Sequence, residues 1–407
     1  MALLAAGALL AGGCSDPGPP TDSAGVTLSV FWWGDQERAE RTEAALALYS
    51  TRYPGVRFKI TWQGEAGYYD RLATQAVGGN APDLFQIDDT RLADYAERGL
   101  LLDLSAAVAA GRIDVTRFPA GLADYGRVDG RTVGVPAGTS TSAMVYNRSL
   151  VGRLGVEEPR TGMSYAELMT WAAGVSAKTG GDVAGTEDAS GDLDAFWVWL
   201  RGQGRDLYRA QGLGFQMDDV ARWFAMWQEA RWDGAAPVTG PAARPGVLSG
   251  EAATAFGWSG DLAAWQSATR DELRLVAYPG DPRAQFARAA YFWAGYRGTR
   301  NPDAVADVLD FLANDPQAGR LLGHDRGFPP NLDVRAANRG AVPDGAALAF
   351  EDDLVGRLGP APVPPPAGHA RVRTLLADAA SAVAADRMTS DEAAVDFFRR
   401  ASAALAG

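Results

Sequence analysis

Two hydrophobic rhythms alternate through the first hundred residues of this chain. Thr27-Leu-Ser-Val-Phe-Trp-Trp33 is rich in β-branched and aromatic residues and stops at Gly34, which predicts a strand. Asp35 to Arg52 has a helical pattern that Tyr53-Pro54-Gly55 ends. Val56, Phe58, Ile60 and Trp62 alternate with polar residues, as a half-buried strand requires. A second helix is predicted from Tyr68 to Val77, closed by Gly78-Gly79-Asn80. The short apolar strand Leu84-Phe-Gln-Ile87 and a helix from Leu92 to Glu97 follow. Strands alternating with helices predict an α/β fold with a mainly parallel sheet and helical crossovers. Ligands of such sheets bind beyond the carboxyl ends of the strands. Here that rule points to Trp33-Gly34-Asp35-Gln36 and to Asp88-Asp89.

Further along, Asp129-Gly130 predicts a turn between short strands. The small-residue stretch Ala137-Gly-Thr-Ser-Thr-Ser-Ala143 leads into the apolar strand Met144-Val-Tyr146 and marks a crossing between lobes. Capping boxes at Ser164/Glu167 and Thr389/Glu392 open helices running to about Lys178 and about Leu405. Asn301-Pro302 opens another, through Asn314. The proline-rich pieces 235–245 and 360–368 are expected to be surface loops. Trp223, Trp227 and Trp232 fall near helical spacing and are expected in a core. Trp197 and Trp199 share one face of a strand but diverge on a helix, and one of the pair, Trp197 first, is a candidate for a ligand cleft.

Composition narrows the chemistry. A chain of 407 residues suggests two to three domains, and its 47% hydrophobic and 22% charged residues are ordinary for a globular protein. The formal charge of -12 argues against nucleic acid and anionic lipid headgroups as partners. With two histidines, triads and metal clusters have little material, and neither a cofactor nor a metal is expected. Lys59 and Lys178 are the only lysines, so Schiff-base and phosphate-loop chemistry lack candidates. Asp188, Ser190, Asp192 and Asp194 have the spacing of a calcium loop, but Leu193 stands at the glycine position, so a solvated acidic loop is expected. Ser259 lies in Gly257-Trp-Ser-Gly-Asp, without the second glycine of a nucleophile elbow.

Cys14 is the only cysteine, so no disulfide can form within the chain. It follows the uncharged apolar run 1–13 and precedes the polar, proline-rich run 15–24. An apolar segment with small residues before a cut site has the form of a secretory signal, too short to span a bilayer. The placement of Cys14 resembles a bacterial lipobox, whose thiol takes a diacylglycerol. The expected organisation is therefore a signal peptide over 1–13 and a lipidated tether over 14–24.

The ordered motifs resemble the family 1 extracellular solute-binding proteins of ABC transporters, the maltose-binding-protein-like group. They include Val30-Phe-Trp-Trp-Gly34, Tyr53-Pro54, Gly78-Gly-Asn-Ala-Pro-Asp-Leu-Phe-Gln-Ile-Asp88 and Tyr95-Ala-Glu-Arg-Gly-Leu-Leu-Leu-Asp-Leu104. Val133-Gly-Val-Pro136, Tyr146-Asn147, Leu248-Ser-Gly-Glu-Ala-Ala253 and Gly327-Phe-Pro-Pro-Asn331 follow in order. The resemblance implies a two-lobe, periplasmic-binding-protein-like clamshell of type II-like form, each lobe a mainly parallel sheet flanked by helices. By that likeness 25–134 and 290–332 form lobe 1, and 135–289 and 333–407 form lobe 2. The implied function is capture of a sugar or oligosaccharide between the lobes and its delivery to ABC permease transmembrane subunits. The protein would be a monomer outside the cytoplasm, on the membrane through its lipid anchor alone, and not an enzyme. Other solutes, such as a polyamine or a glycerol phosphate, and an exported glycoside hydrolase are the alternatives.

The resemblance also implies a ligand set. Asp35 and Gln36 match polar cleft positions after the first strand, and Trp258 a stacking aromatic at a strand-to-helix turn. Asp261, Trp293 near the returning crossover, Arg326 before Gly327, and Ser140 beside Thr139 on the crossover strand complete it with Trp33, Asp88, Asp89 and Trp197. Asp88, Asp89 and Asp261 could equally cap helices. Maltose-type members carry a further aromatic in the C-terminal lobe, and none stands in 367–374.

Overall fold

A computed structural model describes residues 25–209, 212–237, 240, 245–341, 345–362 and 364–406. The expected signal peptide and tether, Cys14 included, lie outside the described residues, as does part of the loop 235–245.

The strands, in chain order, are β1 (Val26–Trp33), β2 (Val56–Gln63), β3 (Leu84–Asp88), β4 (Arg127–Val128), β5 (Arg131–Thr132), β6 (Val135–Pro136), β7 (Ser140–Asn147), β8 (Thr254–Trp258), β9 (Leu273–Ala277), β10 (Ala287–Arg288) and β11 (Tyr291–Gly295). Helices α1 (Gln36–Arg52), α2 (Tyr68–Val77) and α3 (Asp89–Glu97) follow the first three strands. The first sheet runs β2-β1-β3-β11-β6. In it β1 pairs in parallel with β2 and β3, while β11 is antiparallel to β3 and β6. In the second sheet β7 is antiparallel to β8, β9 and β10.

The two-lobe α/β architecture is as expected, but the strand directions differ from a mainly parallel pattern. The reason lies in the connections. The chain leaves β7 at Asn147, makes a helical excursion, and returns at Thr254 beside Tyr146. It comes back to the end it left, so β8 must run the other way. β9 does the same, with Leu273 opposite Asn147.

Each sheet has its own core. Leu28, Val30 and Trp32 of β1 pack with Phe85 and Ile87 of β3 and with Phe292 and Trp293 of β11. Met144 of β7 belongs to a separate core with Phe196, Trp223, Trp227 and Phe397. Trp232 was expected with them, yet it is 73% exposed. It follows Trp227 by five positions, which turns it off the shared i, i+4 face of the helix Met217–Trp232.

The chain passes between sheets at 137–139 and again at 289–290. The first passage is clamped by a third segment. Thr139 N donates to the Phe328 carbonyl and Phe328 N to the Thr139 carbonyl, both at 2.8 Å. Gly138 lies so close to this segment that a methyl there would overlap the Arg326 carbonyl, and Gly327 faces Thr139 at φ +100°. Buried Glu351 braces the same region. One of its oxygens accepts from Thr141 N at 2.8 Å and from Ser259 Oγ at 2.5 Å, and the other faces Arg335 at 3.3 Å.

Gly138→Ala should lower unfolding stability by about 1–3 kcal/mol through overpacking. Gly152→Ala, in a helix with open space at that position, should be neutral or stabilising by up to about 1 kcal/mol. Urea midpoints of the two variants check this. Equal shifts would mean that the close approach at Gly138 carries no weight.

Candidate functional site

Between the two sheets lies a cavity of about 430 Å³, within the usual range for small-molecule sites. Tyr291 at the start of β11 and the segment His324-Asp325-Arg326-Gly327 line it from one side. Trp258, Asp261, Asp194 and Arg373 line it from the other, with Ser140 and Arg288 at the crossover strands.

Local sequence explains these positions. β8 ends at Trp258, and Asp261 accepts a hydrogen bond from Trp258 N at 2.8 Å, turning the chain into the helix that follows. Burial pushes the Asp261 carboxyl upward. Asp192 caps the helix Leu193–Gly202 and leaves Asp194 in its first turn, facing the cavity. Arg288 then fills the space between the lobes. Its guanidinium contacts Asp89 of α3 at 2.5 Å and Asp194 at 3.3 Å, and lies 4.8 Å from the Trp258 ring centre. Burial opposes its charge, but the two carboxylates hold it firmly protonated. Burial opposes the Asp194 charge too, yet Arg373 at 3.1 Å and Arg288 hold its carboxyl below the usual range.

The structure brings four of the expected site residues to the cavity: Ser140, Trp258, Asp261 and Arg326. Ser140 Oγ is 2.9 Å from Ser259 Oγ and accepts from Gly260 N at 3.2 Å. Arg326 is buried, donating from Nε to Gln86 Oε1 at 2.8 Å and from Nη1 to Thr42 Oγ1 at 3.1 Å. Burial pushes its pKa down to about 9.

Three more form the wall behind Tyr291 and the interlobe contact. Trp33 packs edge-on against Tyr291 with ring centres 5.4 Å apart, and its Nε1 donates to Asp88 Oδ1 at 3.1 Å. Asp88 is pushed up to about 6 because burial outweighs the hydrogen bonds from Tyr69 and Trp33. Asp89 is 5% exposed and bound to Arg288 rather than facing the cavity.

The other four lie elsewhere. Asp35 caps α1, accepting from Arg38 N at 2.9 Å, and Gln36 donates to Glu40 at 2.8 Å on the exposed side of that helix. Both belong to the helix start instead of the cleft, because the first free N–H groups of α1 need an acceptor. Trp197 is 1% exposed in the second core, against Phe286 at 5.1 Å, with its Nε1 donating to Asp206. The segment is helical, so Trp199 diverges from it and stacks on Phe196. Trp293 is equally buried, between Trp32 and the Arg326 guanidinium.

The acidic run at 188–194 is not solvated. Asp188 and Asp194 are 4% and 7% exposed, and Asp188 pairs with Arg231 at 2.5 Å. Among the described residues no group of acidic, histidine or cysteine side chains could hold a metal ion. Asp194, Arg288, Arg373 and Tyr291 are cavity residues that sequence reasoning missed, as are Thr90, His324 and Asp325. Arg288 carried a signal: a lone charge inside Ala287-Arg-Ala-Ala290 implies burial with a partner. Arg373 carried none.

The sequence profile described as bacterial extracellular solute-binding protein matches residues 44–349. The fold is similar to that of an extracellular solute-binding protein family 1 member from Alicyclobacillus acidocaldarius, with 25% identity, a TM-score of 0.78, and coverage of 94% of this chain and 99% of that one. It is also similar to a periplasmic oligogalacturonide binding protein from Yersinia enterocolitica, at 21% identity and a TM-score of 0.81, with the same two coverages of 94% and 99%. A cyclic alpha-maltosyl-1,6-maltose binding protein from Arthrobacter globiformis gives 21% identity and a TM-score of 0.77, again covering 94% and 99%. A curated relative, an uncharacterised lipoprotein in the oleD 5′ region of Streptomyces antibioticus, is 34% identical over 123 residues. That alignment takes in 29% of this chain and 26% of the relative.

Asp88 gives the site a pH signature. Its carboxyl lies at 3.8 in the unfolded reference and at about 6 when folded. Between those values the folded state holds the proton more tightly, so this group's contribution to stability falls as pH rises from about 4 to about 6. Asp88→Asn removes that slope and retains an acceptor for Trp33 Nε1. The variant should match the wild type near pH 4 and exceed it at pH 7.5 by about 1–3 kcal/mol. Urea unfolding at both pH values measures the difference, and a pH-independent difference would refute the assignment.

Proposed function

The chain belongs to the bacterial extracellular solute-binding proteins, and from that premise we propose that it is the substrate-binding component of an ABC importer, one that captures a sugar or oligosaccharide between its lobes and delivers it to a permease. The observation that carries this reading is the cavity itself, with an indole on one side and several charged groups around it. A sugar has apolar C–H faces and a rim of hydroxyls. Trp258 offers a flat apolar surface, while Asp194, Asp261, Arg288 and Arg326 offer charged hydrogen-bond partners. The Yersinia and Arthrobacter proteins of the same fold are named for binding oligosaccharides, which supports the substrate class.

In this reading 25–134 and 290–332 form one lobe and 135–289 and 333–407 the other. Ser140, Trp258, Asp261 and Arg326 grip the ligand, with Trp33 and Asp88 shaping the wall behind it. A ligand that touches both lobes shifts the balance toward a closed form, whereas one that touches a single lobe does not. The protein works as a monomer outside the cytoplasm, held at the membrane by a lipid on Cys14, and the lipoprotein name of the Streptomyces relative supports that placement. It binds its ligand without transforming it.

A sugar screen read by tryptophan fluorescence and thermal shift tests the proposal. A true ligand at a hundredfold excess over its Kd should stabilise the fold by about 2.7 kcal/mol. Trp258→Ala should fold normally and lose about tenfold or more in affinity for that ligand. Unchanged affinity would remove Trp258 from the site, and release of product from a glycoside would replace the binding reading with an enzymatic one.

A further inference from the structure

A chain of hydrogen bonds joins Ser140 to the interior, and it runs in one direction from end to end. It starts at Glu351, 1% exposed on the helix Gly345–Leu354. Every group that faces its carboxylate carries a proton. Arg335 Nη1 lies 3.3 Å from Oε2, while Thr141 N at 2.8 Å and Ser259 Oγ at 2.5 Å meet Oε1. A carboxylate set among three donors accepts from all of them.

That arrangement settles Ser259. A serine hydroxyl has one O–H to give and two lone pairs to receive with. Ser259 spends its proton on Glu351 and accepts from Thr141 N at 3.1 Å. Its oxygen also lies 2.9 Å from Ser140 Oγ, and with no proton left it can only accept there. The Ser140 proton is therefore committed to Ser259. Ser140 Oγ in turn accepts from Gly260 N at 3.2 Å. One lone pair remains, on a half-buried side chain that lines the cavity with Trp258, Gly260 and Asp261.

A group that can only accept sorts what comes to it. A hydroxyl can donate to Ser140, whereas a carboxylate, a phosphate or an ether oxygen would set lone pair against lone pair. The turn beside it offers an anion little relief, because Gly260 N already serves Ser140. Asp261 adds further oxygens in the same turn, one of them accepting from Trp258 N at 2.8 Å. Neither Glu351 nor Ser259 is among the described residues that line the cavity, so both act on a ligand only through Ser140.

We infer that Glu351 is a positioning residue that fixes the Ser140 hydroxyl as an acceptor, so that a ligand must present a free donor there. The class of that donor rests on the carbohydrate reading above. Within it, the donor is an unsubstituted hydroxyl, and sugars that are deoxygenated, etherified or acidic at that position are turned away.

Titration calorimetry on the intact chain tests this with glucose and galactose beside their monodeoxy and monodeoxyfluoro analogues, since fluorine can accept weakly but cannot donate. At one ring position the wild type should lose about threefold to tenfold in affinity for both analogues alike, the net worth of a neutral hydrogen bond. Ser140→Ala should erase the penalty at that position alone. Glu351→Gln keeps the volume, and with its amide oxygen toward Arg335 it turns an NH2 toward Ser259. The chain of bonds then reverses, the Ser140 proton swings into the cavity, and the fluoro analogue should bind better than the deoxy one. An equal loss for every sugar in Glu351→Gln would mean a merely structural role and overturn the proposal. Neutron diffraction from the deuterated wild type decides the same point without a ligand, whether or not the variants fold. A deuteron between Ser140 and Ser259 and another between Ser259 and Glu351 are expected, and a Ser140 deuteron aimed into the cavity would overturn the proposal. Binding of no sugar at all would instead overturn the carbohydrate reading and leave the direction of the chain to that diffraction result.

Discussion

Arg288 is the group on which the interior between the lobes depends. It carries one charge to a place where two carboxylates converge from distant parts of the chain, Asp89 on α3 and Asp194 on the helix Leu193–Gly202. All three are nearly shut off from water. Removing water from three charges is costly, and their mutual attraction offsets that cost only while the geometry holds. The cluster therefore acts mainly as a locator. It sets α3 of one lobe at a fixed distance from a helix of the other, and it holds the Trp258 ring in place from behind. Arg373 extends it toward the cavity by sharing Asp194.

Much of the fold was legible because local chemistry agreed with the pattern. Ser164/Glu167 and Thr389/Glu392 both form complete capping boxes, and their helices start where the motifs put them. Asp129-Gly130 turns between β4 and β5 with positive φ at both residues. Strand direction was less legible. A helical excursion between two strands suggests a parallel return, and nothing local tells that the chain comes back beside the end it left, as it does from Asn147 to Thr254. Trp197 shows the same limit on a smaller scale, since only the helical state of its segment sends it to the core.

The site was legible where a residue sits at a strand end and opaque where its partner is remote. Trp258 and Asp261 stand out through the likeness to the solute-binding family, at a strand that stops in a polar turn. Asp35 and Gln36 sit at a strand end too, but the capping needs of α1 claim them first. Asp194 hid inside an acidic run, because burial by a distant arginine cannot be read from neighbours in sequence. The cleft wall in fact holds as many guanidinium groups as carboxylates, Arg288, Arg326 and Arg373 beside Asp194, Asp261 and Asp325, despite a chain charge of -12. The acidic surplus therefore lies mostly on the outer surface, and the buried charges are close to balance.

The stacking of Arg288 on Trp258 bears on how any visitor must arrive. An indole has two faces, and here the cation occupies one of them at 4.8 Å. What remains is a one-sided shelf. A single ring can stack on it, so the indole cannot be sandwiched between two ligand rings. The guanidinium behind the ring is itself held by Asp89 and Asp194, so the shelf rests on a fixed support before anything lands, and less ordering of that side chain opposes association.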